Sequence, residues 1–102
     1  MAVYRFKVSF EDDESVTREI EIKSTQSFDD FQKIILKAIN FKDVLPANFF
    51  MSNDNWRKEK QIPSLKATMA TCIEDPHQKL IYESDPENTC WLLRAELLKR
   101  MK

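Results

Sequence analysis

An alternation of apolar and polar residues at the start of the chain predicts a β-hairpin. Apolar side chains fall on one face of Val3 to Phe10, and the alternation resumes from Val16 to Lys23. Because successive side chains point to opposite faces of a strand, each segment predicts a half-buried strand. Residues 11–15 between them are four acidic residues and a serine, which are typical of a solvated turn. The alternative role of these carboxylates, binding a divalent cation, needs six or more converging oxygens that a flexible turn does not preorganise.

The hydrophobic period changes after Lys23 and predicts a helix. Ser27 is a good N-cap, and Asp30 three residues later suits a capping box. Apolar residues then recur at three- and four-residue spacing, which places one stripe against the sheet. These residues are Phe28, Phe31, Ile35, Ala38 and Ile39. We expect Asn40 to end the helix in the left-handed conformation that Gly usually supplies.

The second half of the chain predicts a third strand and a closing hairpin. Asn48 to Ser52 is short, aromatic and strand-like, and Lys79 to Ser84 is apolar and β-prone. After turn residues 85–89, apolar residues alternate from Trp91 onwards, which predicts the last strand. The residue types of Leu92 to Lys102 favour a helix instead, and we favour the strand because of the alternation. From Trp56 to Ala70 there is no sustained period beyond one helical turn that spaces Leu65, Met69, Cys72 and Ile73.

The order hairpin, helix, strand, hairpin predicts an α+β fold. We expect a β-grasp-like arrangement, in which one main helix packs on a mixed four- to five-stranded sheet that ends in a C-terminal β-hairpin. The length of 102 residues suits a single domain, residues 1–102, with one core that needs no metal or disulfide.

Composition excludes several classes of site. The chain has no Gly, which Walker loops, dinucleotide-binding turns, nucleophile elbows and EF-hand loops all need. One His excludes the HExxH metalloproteases, and Cys72 and Cys90 are too far apart for a zinc knuckle. We therefore predict no catalytic residues, no cofactor, no metal and no enzymatic activity.

Charge and hydropathy bear on partners and location. Sixteen Lys and Arg oppose 17 Asp and Glu, so the net charge of −1 argues against non-specific binding to nucleic acid. No apolar run approaches the length of a membrane helix, and Arg5 and Lys7 interrupt the amino-terminal pattern that a signal peptide would need. These features predict a cytoplasmic protein without membrane partners, in which both cysteines are thiols.

Several segments resemble the plasmid ORF-3-like proteins, a family named for a reading frame on a root-inducing plasmid. The segments are Val3–Val8, Val16–Ile22, Ser27–Phe31 and Phe49–Trp56, followed by the residues Tyr82, Asp85, Trp91, Glu96 and Leu97. Ser84, Pro86 and Arg94 stand where the family has an aromatic residue, Phe and His. Some members carry the name TnpR passenger protein of an insertion element, so the resemblance implies an association with mobile elements and no assigned reaction.

The candidate interaction surface combines aromatic and charged residues. Its members are Trp56, Arg57, Lys58, Lys60, His77, Asp85, Trp91 and Arg94. Our first hypothesis is a non-enzymatic module that binds a protein partner, or a second copy, through this surface or a free sheet edge. The second is an accessory nucleic-acid-binding protein, because an aromatic ring beside Arg57, Lys58 and Lys60 suits a base and its phosphate. The third is an enzyme or small-ligand binder around Asp75, His77 and Asp85.

Overall fold

The computed structural model describes residues 2–11, 13, 15–40, 47–73, 77–84 and 91–101, and within them six strands and two helices. In chain order the elements are β1 (Val3–Phe10), β2 (Thr17–Lys23), α1 (Phe28–Ala38), β3 (Ala47–Ser52), β4 (Lys58–Gln61), α2 (Met69–Cys72), β5 (Lys79–Ser84) and β6 (Trp91–Met101). The strands form one sheet in the order β2-β1-β6-β5-β3-β4. The strands at its two edges are therefore β2 and β4.

Local sequence signals explain the first three elements. The predicted hairpin is confirmed, with Val3 opposite Lys23 and Ser9 opposite Thr17. The predicted capping box is also confirmed, because Ser27 Oγ accepts from the Asp30 backbone N–H at 3.2 Å and Asp30 Oδ2 accepts from the Ser27 N–H at 3.1 Å. Asn40 has φ = 60°, which is the left-handed conformation expected at the end of α1.

The prediction of a mixed sheet with four to five strands is wrong in both respects. The sheet has six strands, and every pair among the described residues is antiparallel. The missed strand is β4, whose four side chains are all exposed, so no apolar alternation indicates it. The β-grasp-like arrangement relies on a mixed sheet and is replaced by the antiparallel order above. What remains is an α+β fold in which α1 spans 11 residues and α2 four.

The carboxyl-terminal segment is a strand, as its alternation predicts. β6 pairs with β1 on one side and with β5 on the other, so both of its edges are hydrogen-bonded. Its buried residues Leu93, Ala95 and Leu97 alternate with half-buried Arg94 and Glu96. Pairing with two neighbours outweighs the helical preference of its residue types.

The core lies between one face of the sheet and α1. Five aromatic rings meet there, from β1, α1, β3 and β5, with centroid separations of 4.9 to 6.3 Å. They belong to Phe6, Phe28, Phe31, Phe49 and Tyr82. The Tyr82 hydroxyl accepts a hydrogen bond from Gln32 Nε2 at 3.1 Å, which satisfies a buried polar pair across the helix–sheet interface. Neither α1 nor α2, the helices of the described residues, has the length and hydropathy of a membrane-spanning segment.

Candidate functional site

The face of the sheet opposite α1 carries the candidate site, and we call it the open face. In β1, Tyr4, Phe6 and Val8 are buried against α1, so the intervening side chains lie on the other side of the sheet. No described helix covers this second side, because α2 lies beside α1: Phe28 and Asp29 at the start of α1 donate to the carbonyls of Ala67 and Leu65, just before α2. Polar and charged side chains therefore dominate the open face.

A row of alternating charges crosses four strands of the open face. Lys7 on β1 lies opposite Glu19 on β2 and opposite Glu96 on β6, and Glu96 lies opposite Lys79 on β5. The next row places Ser9 opposite Thr17 on β2 and Arg94 on β6. Opposite charges in adjacent strands stabilise the sheet by a few tenths of a kcal/mol to about 1 kcal/mol per pair.

The turn between β3 and β4 places Trp56 at this face. Asn53 organises the turn, because its side-chain oxygen accepts from the backbone N–H groups of Asn55 at 2.9 Å and Arg57 at 3.1 Å. The backbone N–H of Trp56 donates to the Asn53 carbonyl at 3.1 Å, and Trp56 has φ = 59°. A bulky residue at positive φ is unusual, and strained backbone conformations cluster at functional sites.

Two cations flank the indole of Trp56. The guanidinium carbon of Arg94 lies 5.2 Å from the ring centroid, and Lys79 Nζ lies 5.3 Å from it. Lys79 Nζ also lies 3.7 Å from Asp54 Oδ1 and donates to the Asp54 carbonyl at 3.4 Å. The carboxylate of Asp54, in the turn that carries Trp56, therefore partly offsets the charge of Lys79. Cation–π contacts near the surface contribute about 0.5 to 1 kcal/mol each and hold the half-buried ring in place.

A depression of about 200 Å³ opens between Trp56 and the first two strands. Its lining residues come from β1, β2, β6 and the β3–β4 turn, and they are Lys7, Ser9, Thr17, Trp56, Arg94 and Glu96. Lys7, Ser9 and Glu96 make no side-chain hydrogen bond or ion pair with another described residue. The nearby Arg5, by contrast, is paired with Glu21 at 2.8 Å. Lys7 is thus a cation at the depression that a ligand reaches without breaking an ion pair to a described residue.

Lys58, which the sequence groups with Trp56, has a different partner. Its Nζ lies 2.7 Å from Glu83 Oε2 and 4.5 Å from the centroid of the Phe50 ring. Glu83 also accepts from Asn48 Nδ2 at 3.3 Å. The hydrogen bond from Lys58, more than any other contact, holds the pKa of the Glu83 carboxyl below its usual value. This network joins β3, β4 and β5 and does not border the depression.

Arg57, Lys60 and His77 are not among the residues that line the depression, and the other predicted residues lie wholly or partly outside the described part of the chain. Arg57 and Lys60 are exposed, with Arg57 in the turn and Lys60 on β4. His77 is exposed just before β5. Trp91 begins β6, where its backbone pairs with Ser84. Asp75, Asp85 and Cys90 lie outside the described residues, and within the described ones no three His, Cys, Asp or Glu side chains are grouped to hold a metal.

Of the predicted surface, the structure therefore brings together Trp56 and Arg94. Sequence reasoning missed Lys7, Ser9, Thr17 and Glu96 at the same site, because each is an ordinary polar residue on the solvated side of a strand. The signal that would have found them is the pairing of β1 with β6, which places Ser9 opposite Arg94. That pairing joins two segments that are far apart in the sequence, so no local sequence pattern indicates it.

Comparison with known proteins identifies a shared fold. No protein-family model matches the chain, and no curated protein matches it. Among solved structures, the chain is similar to a protein of unknown function from Methanosarcina mazei Go1, with a TM-score of 0.77 and 21% sequence identity. The match covers 98% of this chain and 61% of that one, so this chain spans about three fifths of its neighbour's length. At this identity the likeness shows the fold alone.

Proposed function

We propose that the protein is a non-enzymatic interaction module that binds a protein partner through the open face, with the Trp56 depression at the centre of the contact. The observation that carries this proposal is the position of Trp56. Trp56 has a left-handed backbone conformation, and Lys79 on β5 and Arg94 on β6 hold its indole over these two strands. Lys7 lines the same depression and has no ion-pair partner among the described residues. Tryptophan and arginine are the residues most enriched where interface binding energy concentrates.

The size of the depression supports a macromolecular partner over a free metabolite. Its volume of about 200 Å³ is below the roughly 300 to 1,000 Å³ of pockets that enclose a small-molecule ligand. A single side chain of a partner fits such a space while the rest of the partner lies across the sheet face. The polar rows around the depression resemble the rim of an ordinary protein interface.

The sheet edges are less favourable docking points than the open face. At β4 the sequence Lys-Glu-Lys-Gln is short and charged, which is how natural edges resist pairing with another strand. At β2 the exposed residues Arg18, Glu19, Glu21 and Lys23 also place charge along the edge. We therefore place the contact on the face and not at an added strand.

Affinity capture with matched variants tests the proposal. Wild-type protein, Trp56→Ala and Lys33→Ala are immobilised and exposed to lysate of the source organism, and each captured protein is purified and its Kd measured by titration calorimetry. Lys33 is exposed on α1, on the opposite side of the sheet, so Lys33→Ala is the matched control. We expect Trp56→Ala to weaken binding by about 30-fold, which corresponds to about 2 kcal/mol, and Lys33→Ala to leave it unchanged.

Self-association is tested in parallel by light scattering over a range of concentrations. A dimer that Trp56→Ala dissociates supports the open face as the contact between two copies of the chain. A monomer at every concentration, with no purified protein whose binding depends on Trp56, overturns the proposal. Circular dichroism of each variant confirms that loss of binding does not reflect loss of fold.

A second candidate function is binding of single-stranded nucleic acid, favoured by the aromatic ring beside Arg94, Lys79 and Lys7. Base stacking on an aromatic side chain contributes about 1 to 3 kcal/mol per base. This function predicts binding of oligothymidylate at low salt that weakens steeply as salt rises. A salt-independent or absent response removes it. The carboxylates of Glu96 and Glu19 beside Lys7 make it the weaker candidate, because they repel a strand that carries one negative charge per nucleotide more strongly than a protein partner.

We also propose that the chain belongs to the plasmid ORF-3-like family and that it is cytoplasmic. The family proposal is supported by the matching residues around Tyr82, Trp91 and Glu96. It predicts that a family member with an aromatic residue, Phe and His at the positions of Ser84, Pro86 and Arg94 has the strand order β2-β1-β6-β5-β3-β4. A structure of such a member with a different order contradicts it.

A further inference from the structure

We infer that the depression beside Trp56 binds a carboxylate side chain, a glutamate or aspartate, in an extended segment of the partner protein. This inference rests on the proposed function and specifies the chemistry of the partner. It follows from the donors and acceptors that line the depression, from the position of the indole, and from the charges in the neighbouring strands.

The lining is rich in hydrogen-bond donors. Lys7 supplies an ammonium, Ser9 and Thr17 supply hydroxyls, and Arg94 supplies a guanidinium whose carbon lies 5.2 Å from the centroid of the Trp56 ring. Glu96 is the single carboxylate among the lining residues. A ligand group that only accepts hydrogen bonds and carries negative charge is complementary to this set, and a carboxylate has both properties.

The ammonium of Lys7 is the group best placed to meet that carboxylate. It has a carboxylate opposite it on each neighbouring strand, Glu19 on β2 and Glu96 on β6. Neither approaches within ion-pairing distance of 4.0 Å among the described contacts, whereas Arg5 one row away is fully paired with Glu21. Lys7 is also exposed, so a ligand binds it without displacing a buried contact.

Glu96 lies between two cations in the strand register without an ion pair to either. Its neighbours in register are Lys7 on β1 and Lys79 on β5. Lys79 is itself 3.7 Å from the exposed carboxylate of Asp54. Because the carboxylate of Glu96 repels an anion bound at Lys7, we expect neutralisation of Glu96 to strengthen anion binding. The indole of Trp56 forms the apolar wall, which suits the aliphatic part of a glutamate and an apolar residue next to it.

Two blocked peptides that differ in one residue test the inference. The probe is acetyl-Ala-Val-Glu-Val-Ala-amide, and its control replaces the glutamate with glutamine. Both are titrated into isotopically labelled protein, and the indole N–H of Trp56 and the backbone N–H groups of Lys7, Ser9 and Arg94 are followed by NMR. We expect saturable shifts at these positions with the glutamate peptide and binding about fivefold weaker with the glutamine peptide.

Three variants assign the effect to named groups. Lys7→Gln abolishes the preference for the glutamate peptide, because it removes the charge and keeps a side chain of similar length. Lys33→Gln on α1 keeps the preference and controls for the loss of one positive charge. Glu96→Gln tightens binding of the glutamate peptide about twofold, because the repelling carboxylate is gone. Equal binding of the two peptides to wild type, or an unchanged preference in Lys7→Gln, overturns the inference.

Further titrations distinguish carboxylate binding from general anion binding and from nucleic-acid binding. Inorganic phosphate that shifts the same resonances at lower concentration than the glutamate peptide overturns the carboxylate assignment in favour of a general anion site. Oligothymidylate that competes with the peptide and binds more tightly overturns it in favour of nucleic acid. If a partner protein binds in a Trp56-dependent manner while the glutamate peptide does not bind, the inference is wrong and the proposed function stands. If neither binds, both are wrong.

Discussion

At the scale of the single residue, Trp56 has an unfavourable backbone conformation, and its side chain lines the depression on the open face. A non-glycine residue in the left-handed region costs about 1 to 2 kcal/mol, because its Cβ approaches the following carbonyl oxygen. The hydrogen bonds that Asn53 accepts and the two cations over the indole offset this cost. Hairpin turns usually have Gly where φ is positive. This chain has no Gly, so the position carries the aromatic side chain of Trp56.

Comparison of Trp56→Ala with Trp56→Gly measures the backbone cost. Both variants lose the ring, but Gly adopts φ = 59° freely, so we expect Trp56→Gly to have a free energy of unfolding about 1 kcal/mol higher than Trp56→Ala. Urea unfolding followed by circular dichroism gives the two values. Lys60→Ala and Lys60→Gly in strand β4 are the control pair, and there the Gly variant should be the less stable. A Trp56→Ala variant as stable as Trp56→Gly contradicts the assignment of strain.

At the scale of the element, the start of α1 depends on two reciprocal hydrogen bonds. Ser27 Oγ accepts from the Asp30 N–H, and Asp30 accepts from the Ser27 N–H. We expect Ser27→Ala to lower the free energy of unfolding by about 1 kcal/mol, because one backbone N–H loses its acceptor. Ser27→Thr keeps the acceptor and should lose much less. Denaturant unfolding of the two variants checks this, and equal losses would show that the cap contributes nothing.

Such local signals explain which elements could be predicted from the sequence. Alternation predicts β1, β2 and β6, β-prone residue types predict β3 and β5, and Ser27 and Asn40 mark the ends of α1. Strand β4 could not be predicted, because an exposed edge strand has no apolar pattern. The strand order also could not be predicted, since the pairing of β1 with β6 depends on packing between the two ends of the chain. Trp56 and Arg94 could be named by residue type, whereas Lys7 and Glu96 join them only through that pairing.

The contact between Lys58 and Glu83 ties the edge strand β4 to β5 and makes stability depend on pH. The pKa of Glu83 is lowered in the folded protein from its usual 4.5, chiefly by the hydrogen bond from Lys58. The stabilising contribution of the ionised carboxylate is therefore complete above the unfolded pKa and is lost as pH falls through the folded pKa. We expect the stability difference between wild type and Glu83→Gln to be constant near neutral pH and to decrease below about pH 4.5.

A double-mutant cycle assigns that pH dependence to the pair. In a Lys58→Met background, the change in stability caused by Glu83→Gln should vary less with pH, because the largest cause of the lowered pKa is gone. Thermal unfolding at several pH values between acid and neutral gives the four stabilities. A pH dependence of equal size in both backgrounds would assign it to groups other than Lys58.

At the scale of the whole molecule, one aromatic cluster connects the two halves of the sheet. Phe31 on α1 lies 4.9 Å from the ring of Phe6 on β1 and stacks on Phe49 of β3 at 5.5 Å. Phe49 in turn lies 4.9 Å from Tyr82 on β5. Because β1 and β5 lie on opposite sides of β6, the helix joins strands that do not pair with one another. Packing in this aromatic cluster therefore stabilises both halves of the sheet together.

This connection predicts that the chain unfolds as one cooperative unit. Replacing a large buried side chain by Ala costs about 3 to 5 kcal/mol, which is a large part of the roughly 5 to 15 kcal/mol that stabilises a domain, so the milder Phe31→Leu is the useful variant. We expect it to lower the free energy of unfolding by about 1 to 2 kcal/mol with an unchanged denaturant slope, while Leu98→Ala at a side chain 39% exposed changes little. Near-ultraviolet and far-ultraviolet circular dichroism should report the same midpoint in both chains. Separate midpoints, or amide exchange that protects β3 and β5 after β1 and β2 have opened, would show two units and contradict a core joined through Phe31.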